Sequence, residues 1–96
     1  MKKSEIENLF IEKGFTKNRF GHFDISTPET KLRAKFQAKS LRIEKRYTRS
    51  DNSNEWINLG SNYYSKLEIK NGKLGPFIGL ANIKRWLNLD NLKGES

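Results

Sequence analysis

Eight of the nineteen lysines and arginines in this 96-residue chain fall between positions 31 and 49. They are Lys31, Arg33, Lys35, Lys39, Arg42, Lys45, Arg46 and Arg49, and Glu44 is the only acid among them. The stretch therefore carries +7 of a formal net charge of +8, while the other residues are nearly balanced, with eleven basic against ten acidic. Charge concentrated in this way raises the local potential by several kT and draws in polyanions. Arginine adds planar, bidentate contacts to phosphate. Alternate residues of a strand lie about 6.6–7 Å apart, comparable to the phosphate repeat along a nucleic acid. The chemistry these residues can do is anion recognition. The ordinary alternative is a solvated sheet face, or edge strands protected by lysine. An edge needs one or two such residues, not eight.

The remaining chemistry-bearing residues are sparser. In Tyr63-Tyr64, adjacent strand residues face opposite sides, so only one ring belongs to the core. The other stacks a base or anchors a protein interface, or else packs beneath a helix or loop; the sequence leaves this open. Tyr47 is a further candidate for base stacking. His22, the only histidine, stands two residues before Asp24, the spacing of a base and its orienting carboxylate on one strand face. No nucleophile or metal constellation accompanies the pair, so no catalytic residue is assigned and the chain reads as a non-enzyme. A single histidine without cysteine makes no zinc site, and no cofactor is expected. Gly72, Gly75 and Gly79 lack the strand-to-helix context and Lys-Ser/Thr ending of a phosphate loop. Trp56 and Trp86 are expected in the core.

These residues need a scaffold, and the composition bounds it. Ninety-six residues make one small domain, residues 1–96, with a thin core. Eleven aromatics argue for a folded chain. With no cysteine there is no disulfide and no thiolate ligand. The N-terminal residues lack the apolar run of a signal peptide, and no run approaches membrane-spanning length, so a soluble cytoplasmic protein is expected.

The punctuation along the chain predicts the elements. Residues 3–14 read as a helix, with Ser4 as cap, Glu7 completing a capping box, Ile6, Leu9 and Phe10 on one face, and Gly14-Phe15 closing it. Phe20 to Ser26 reads as a short strand bulged at Gly21, and residues 27–30 as a turn. From Lys31 to Gln37 the pattern has period two: Leu32, Ala34, Phe36 and Ala38 oppose Lys31, Arg33, Lys35 and Gln37. From Leu41 the parity flips, with Leu41 and Ile43 now opposing Arg42, Glu44 and Arg46. One strand over 31–48 would reach roughly 60 Å, so two strands or one sharply bent strand are expected. Residues 49–54 form a polar loop. Trp56 to Leu59 is a strand broken at Gly60, and Tyr63 to Lys70 is another. Asn71-Gly72 is a hairpin turn, and Gly75-Pro76 ends the short return strand. Leu80 to Leu89 has helical spacing at Ile83, Trp86 and Leu87, and residues 93–96 should fray. The expected fold is α+β: an N-terminal helix, an antiparallel sheet of about four to five strands with a basic exposed face, and a short C-terminal helix.

In this order of parts the chain resembles small uncharacterised proteins of phages and mobile elements. The resemblance rests on Gly14-Phe15, Gly21-His22, the basic strands from Lys31 to Tyr47, Trp56-Ile57, and Tyr63 to Leu67. It covers residues 1 to about 75 and implies no catalytic residue. It implies a mobile-element origin and a role in binding nucleic acid or blocking a host defence enzyme. The expected function is DNA or RNA binding through the basic sheet, chiefly at phosphates. The rival is an inhibitor of anti-CRISPR or anti-restriction type that binds a host protein or ribonucleoprotein. A homodimer joined at a sheet edge is a further option.

Overall fold

A computed structural model describes residues 1–26, 30–47 and 55–89. One α-helix, α1 (Lys3–Glu12), precedes eight strands: β1 (Thr16–Lys17), β2 (Phe23–Ser26), β3 (Thr30–Phe36), β4 (Ser40–Tyr47), β5 (Ile57–Tyr63), β6 (Glu68–Lys70), β7 (Lys73–Ile78) and β8 (Lys84–Asn88). A 3-10 turn over Tyr64–Lys66 divides the strand expected from Tyr63 to Lys70 between β5 and β6. All pairs are antiparallel, and β1 to β5 follow one another as a meander. β7 then serves three neighbours. β5 meets it at Ser61↔Ile78 and β6 at Glu68↔Gly75 through Lys70↔Lys73, while β8 runs along its opposite edge.

This corrects the expected fold in two respects. The sheet has eight strands rather than four or five, and the C-terminal segment is a strand, not a helix. The helical spacing of Ile83, Trp86 and Leu87 is overridden by a turn. Asn82 adopts φ 57°, and the Gly79 N–H donates to the Ile83 carbonyl at 2.9 Å. A left-handed residue stops a helix, and the chain returns instead along β7, pairing Ile78 with Lys84 and Leu74 with Leu87.

α1 ends as expected: Gly14 has φ 95° and the Phe15 N–H donates to the Phe10 carbonyl at 3.0 Å. Its start lies earlier, with the Lys2 N–H reaching Glu5 Oε1 rather than Glu7 serving Ser4. Gly21 lies in the β1–β2 turn, where its N–H bonds the Asn18 carbonyl, instead of bulging a strand. Residues 31–47 are two strands, joined by a turn in which the Gln37 N–H donates to the Ser40 carbonyl. Asn71-Gly72 turns β6 into β7, both residues with positive φ. Of the turn expected over 27–30, Thr30 instead opens β3 and 27–29 lie outside the described residues, as do the loop at 49–54 and the tail at 93–96.

Two glycines expected to break strands instead lie inside them. At Gly60 the register of β4 against β5 shifts between Ile43 and Glu44, leaving Leu59 as the extra residue of a bulge. Gly60 has φ 140°, and a Cβ there would stand 3.0 Å from Phe77 Cβ and 3.1 Å from the Ile78 carbonyl. Bare backbone is what lets β7 cross so close. Gly75 precedes a cis proline, Pro76, within β7. A Cβ on it would meet the Arg85 carbonyl at 2.9 Å and the Trp86 ring at 3.1 Å.

The core lies between the inner sheet face and α1. Phe36 is its hub: its ring centroid is 5.6 Å from Phe10, 5.0 Å from Phe23 and 6.1 Å from Tyr64. Ala34, Leu41 and Ile43 complete the inner parity of β3 and β4, and all three are buried. Their alternates therefore face outwards.

Candidate anion-binding face

Pairing of β2 to β5 sets the outward side chains in rows. One row runs Asp24, Arg33, Glu44, Asn58. On one side of it Lys31 faces Arg46; on the other, Lys35 faces Arg42. The basic face is thus built as a cation–cation rung, a cation–anion rung and a second cation–cation rung.

Glu44, the one acid of the basic stretch, is buried to 4% exposure at the centre. Its Oε1 accepts from Arg33 Nε at 2.9 Å and lies 2.7 Å from Arg33 Nη2. Lys35 Nζ stands 4.0 Å from the same oxygen, and Arg42 Nε lies 3.3 Å from Oε2. One carboxylate therefore serves three cations. Arg33 brings two nitrogens to one carboxylate oxygen in a short, charge-assisted contact, while Arg42 Nε makes an ion pair with Oε2 but no hydrogen bond.

Trp56 completes the arrangement from the residue before β5. Arg33 Cζ lies 3.9 Å from its ring centroid and Arg46 Cζ 5.3 Å. A guanidinium over an indole is attracted by the ring quadrupole and is held flat. Trp56 is therefore half-buried on the basic face rather than a core residue. Arg33 is committed to Glu44 and Trp56, so it organises the face. Lys31 and Arg46 meet no carboxylate among the described residues, and Arg46 Nε is buried with no acceptor.

The other candidates scatter. Lys39 is exposed in the β3–β4 turn, where its carbonyl accepts from the Tyr64 N–H. Lys45 pairs with Leu32 and Ile57, and this parity turns it to the opposite side of the sheet. Tyr47 ends β4, and its side chain lies outside the described part, as does all of Arg49. Tyr63, 57% exposed, faces Ser40 at the Lys39 end of the basic face. Tyr64 is buried, and its hydroxyl donates to the Gln37 carbonyl. Burial, with Glu7 adding to it, pushes the Tyr64 pKa from 10.0 up to about 12.

His22 and Asp24 make no direct bond. Asn18 holds both ends of that turn, donating to Asp24 Oδ2 at 3.2 Å and accepting from the His22 N–H at 3.0 Å. His22 Nδ1 and Asp24 Oδ1 are buried without partners. Among the described residues no cluster of three metal-ligating side chains occurs, and no helix is long and apolar enough to cross a membrane.

Sequence reasoning missed two functional residues, Glu44 as a keystone and Trp56 as an outward ring. The signal for Glu44 was present, as the sole acid of a basic run. Trp56 carried none, because its place follows from the β4–β5 register. Comparison with known proteins gives no match to a family model, to a curated protein or to a solved structure.

Proposed function

We propose that this domain binds nucleic acid through the outer face of β3 and β4, gripping the phosphate backbone. The observation that carries the reading is the Lys31/Arg46 rung. Like charges placed directly opposite on neighbouring strands are destabilising. Here that cost stands beside a buried guanidinium nitrogen with no acceptor, at a ring that holds the guanidinium in place. An anion seated between Lys31 and Arg46 removes the repulsion and accepts from the guanidinium. Lys35 and Arg42, four residue pairs along, form a second rung whose charge Glu44 partly neutralises, with Lys39 and Tyr63 beyond it. Contacts of this kind position a backbone and read little sequence.

The test is a salt titration of binding to duplex DNA, single-stranded DNA and RNA. Five phosphate contacts, from Lys31, Lys35, Lys39, Arg42 and Arg46, give a log–log slope of about −4 to −5 on duplex DNA. The double variant Lys31→Gln/Arg46→Gln should lose affinity and flatten that slope by about 2, while unfolding no earlier than wild type. A flat salt response with affinity intact, or a double variant that binds as wild type does, refutes the reading.

A further inference from the structure

A second surface lies on the other side of the sheet, where β7 and β8 curl over the inner face of β4 and β5. It is a cavity of about 120 Å³ walled by Ile43, Leu59, Phe77, Leu87 and Trp86, with Arg85 at its mouth. Trp86, expected in the core, is instead 37% exposed and also walls a neighbouring polar cleft with Lys70, Asn71 and Lys73. The indole is thus a partition between an apolar hole and a basic rim. It is fixed there by Gly75, whose missing side chain lets the ring lie 3.1 Å from where a Cβ would stand.

Three features define what fits. The hole is of the size that one branched aliphatic side chain or a small ring fills, and its walls are aliphatic and aromatic. Its rim is cationic, and among the described residues Lys70, Lys73 and Arg85 form no ion pair. The second edge of β8 pairs with no strand among the described residues, and an extended segment laid along it would add a strand there. A nucleobase is a poor occupant, because the walls are almost wholly apolar and would leave the polar edges of a base unpaired. We propose that this groove docks an acidic, extended protein segment that lies along β8 and seats one apolar side chain against Trp86. The inference does not depend on the nucleic-acid reading, which uses the opposite face.

The experiment is an amide and indole NMR titration of the ¹⁵N-labelled full chain. The probe is a synthetic decapeptide of Asp and Glu around a single Leu, run beside its Leu→Ser form. The chain has two tryptophans, so its indole signals separate the two surfaces. The Leu peptide should move the Trp86 indole and the amides of Arg85 and Leu87, and leave the Trp56 indole in place. The Ser peptide should bind about ten-fold more weakly or worse, as loss of a buried Leu side chain implies. Lys73→Glu and Arg85→Glu, both at exposed positions, should each weaken the Leu peptide. Shifts confined to Trp56 and Arg46 overturn the proposal, since the peptide then acts only as a polyanion on the basic face. Equal binding of the Leu and Ser peptides, or no Trp86 response at millimolar peptide, also overturns it. Single-stranded DNA, titrated in parallel, should move Trp56 and spare Trp86; its failure to do so counts against the nucleic-acid reading alone.

Discussion

Replacing Glu44 by Gln should lower stability and raise nucleic-acid affinity at once. The substitution keeps size and shape but removes the single negative charge that Arg33, Lys35 and Arg42 share at 2.7, 4.0 and 3.3 Å. Two unit charges 4 Å apart attract by about 4 kcal/mol at an effective dielectric of 20, before desolvation is subtracted. Breaking a buried pair from one side costs about 3–5 kcal/mol. Here the carboxylate is buried but the three cations are 23, 32 and 39% exposed, so water takes up part of the loss. A cost of about 2 kcal/mol is the expected result. For a domain of this size that lowers Tm by about 8–16 °C and leaves the chain folded at 20 °C. Binding moves the other way. The face gains one net positive charge, and Arg33 and Arg42 are released to meet phosphates, steepening the salt slope by about 1 to 2. Thermal unfolding by circular dichroism gives the first quantity. Fluorescence anisotropy with labelled single-stranded and duplex DNA across a salt series gives the second. Weaker binding by a still-folded E44Q variant, or an unchanged Tm, refutes the keystone argument.

Two further substitutions probe the scaffold. Tyr64 ionises at about 12 in the folded chain against 10.0 unfolded, so its contribution to stability is complete below pH 10 and is lost as pH rises towards 12. Tyr64→Phe should cost about 1 kcal/mol at neutral pH, through the lost bond to the Gln37 carbonyl, and show a shallower alkaline decline in urea unfolding. Identical alkaline slopes in the two proteins would show that folding does not raise the Tyr64 pKa. Gly60→Ala places a Cβ 3.0 Å from Phe77 Cβ at φ 140°, and should destabilise by about 2–3 kcal/mol. A denaturation midpoint equal to wild type would mean that β5 and β7 separate freely.

The parts of the fold legible in the sequence were those set by neighbours in the chain. Gly14 stopped α1, Asn71-Gly72 turned β6 into β7, and the parity change between Phe36 and Leu41 marked the β3–β4 turn. The missed parts depend on partners far away. Ile83, Trp86 and Leu87 satisfy a helical period, and only the waiting edge of β7 makes the same residues a strand. Gly60 and Gly75 look like strand ends because glycine weakens an isolated strand. They are strand interiors because Phe77 and Trp86 pass over them.

The site divides along the same line. Period two on β3 and β4 was enough to put Lys31, Arg33, Lys35, Arg42 and Arg46 on one face, and their count was enough to single that face out. It could not say which cations are spent. That depends on pairing: had β4 slipped by two residues, Glu44 would face Lys31 or Lys35, and Arg33 would stand opposite another cation. The observed register sets Arg33 against Glu44 and leaves Lys31 against Arg46. The same register, continued through the bulge at Leu59, carries Trp56 to Arg46. In the proposed reading, a charge run marks the face that a polyanion meets. The strand register decides which of its charges are held by the protein and which remain for the ligand.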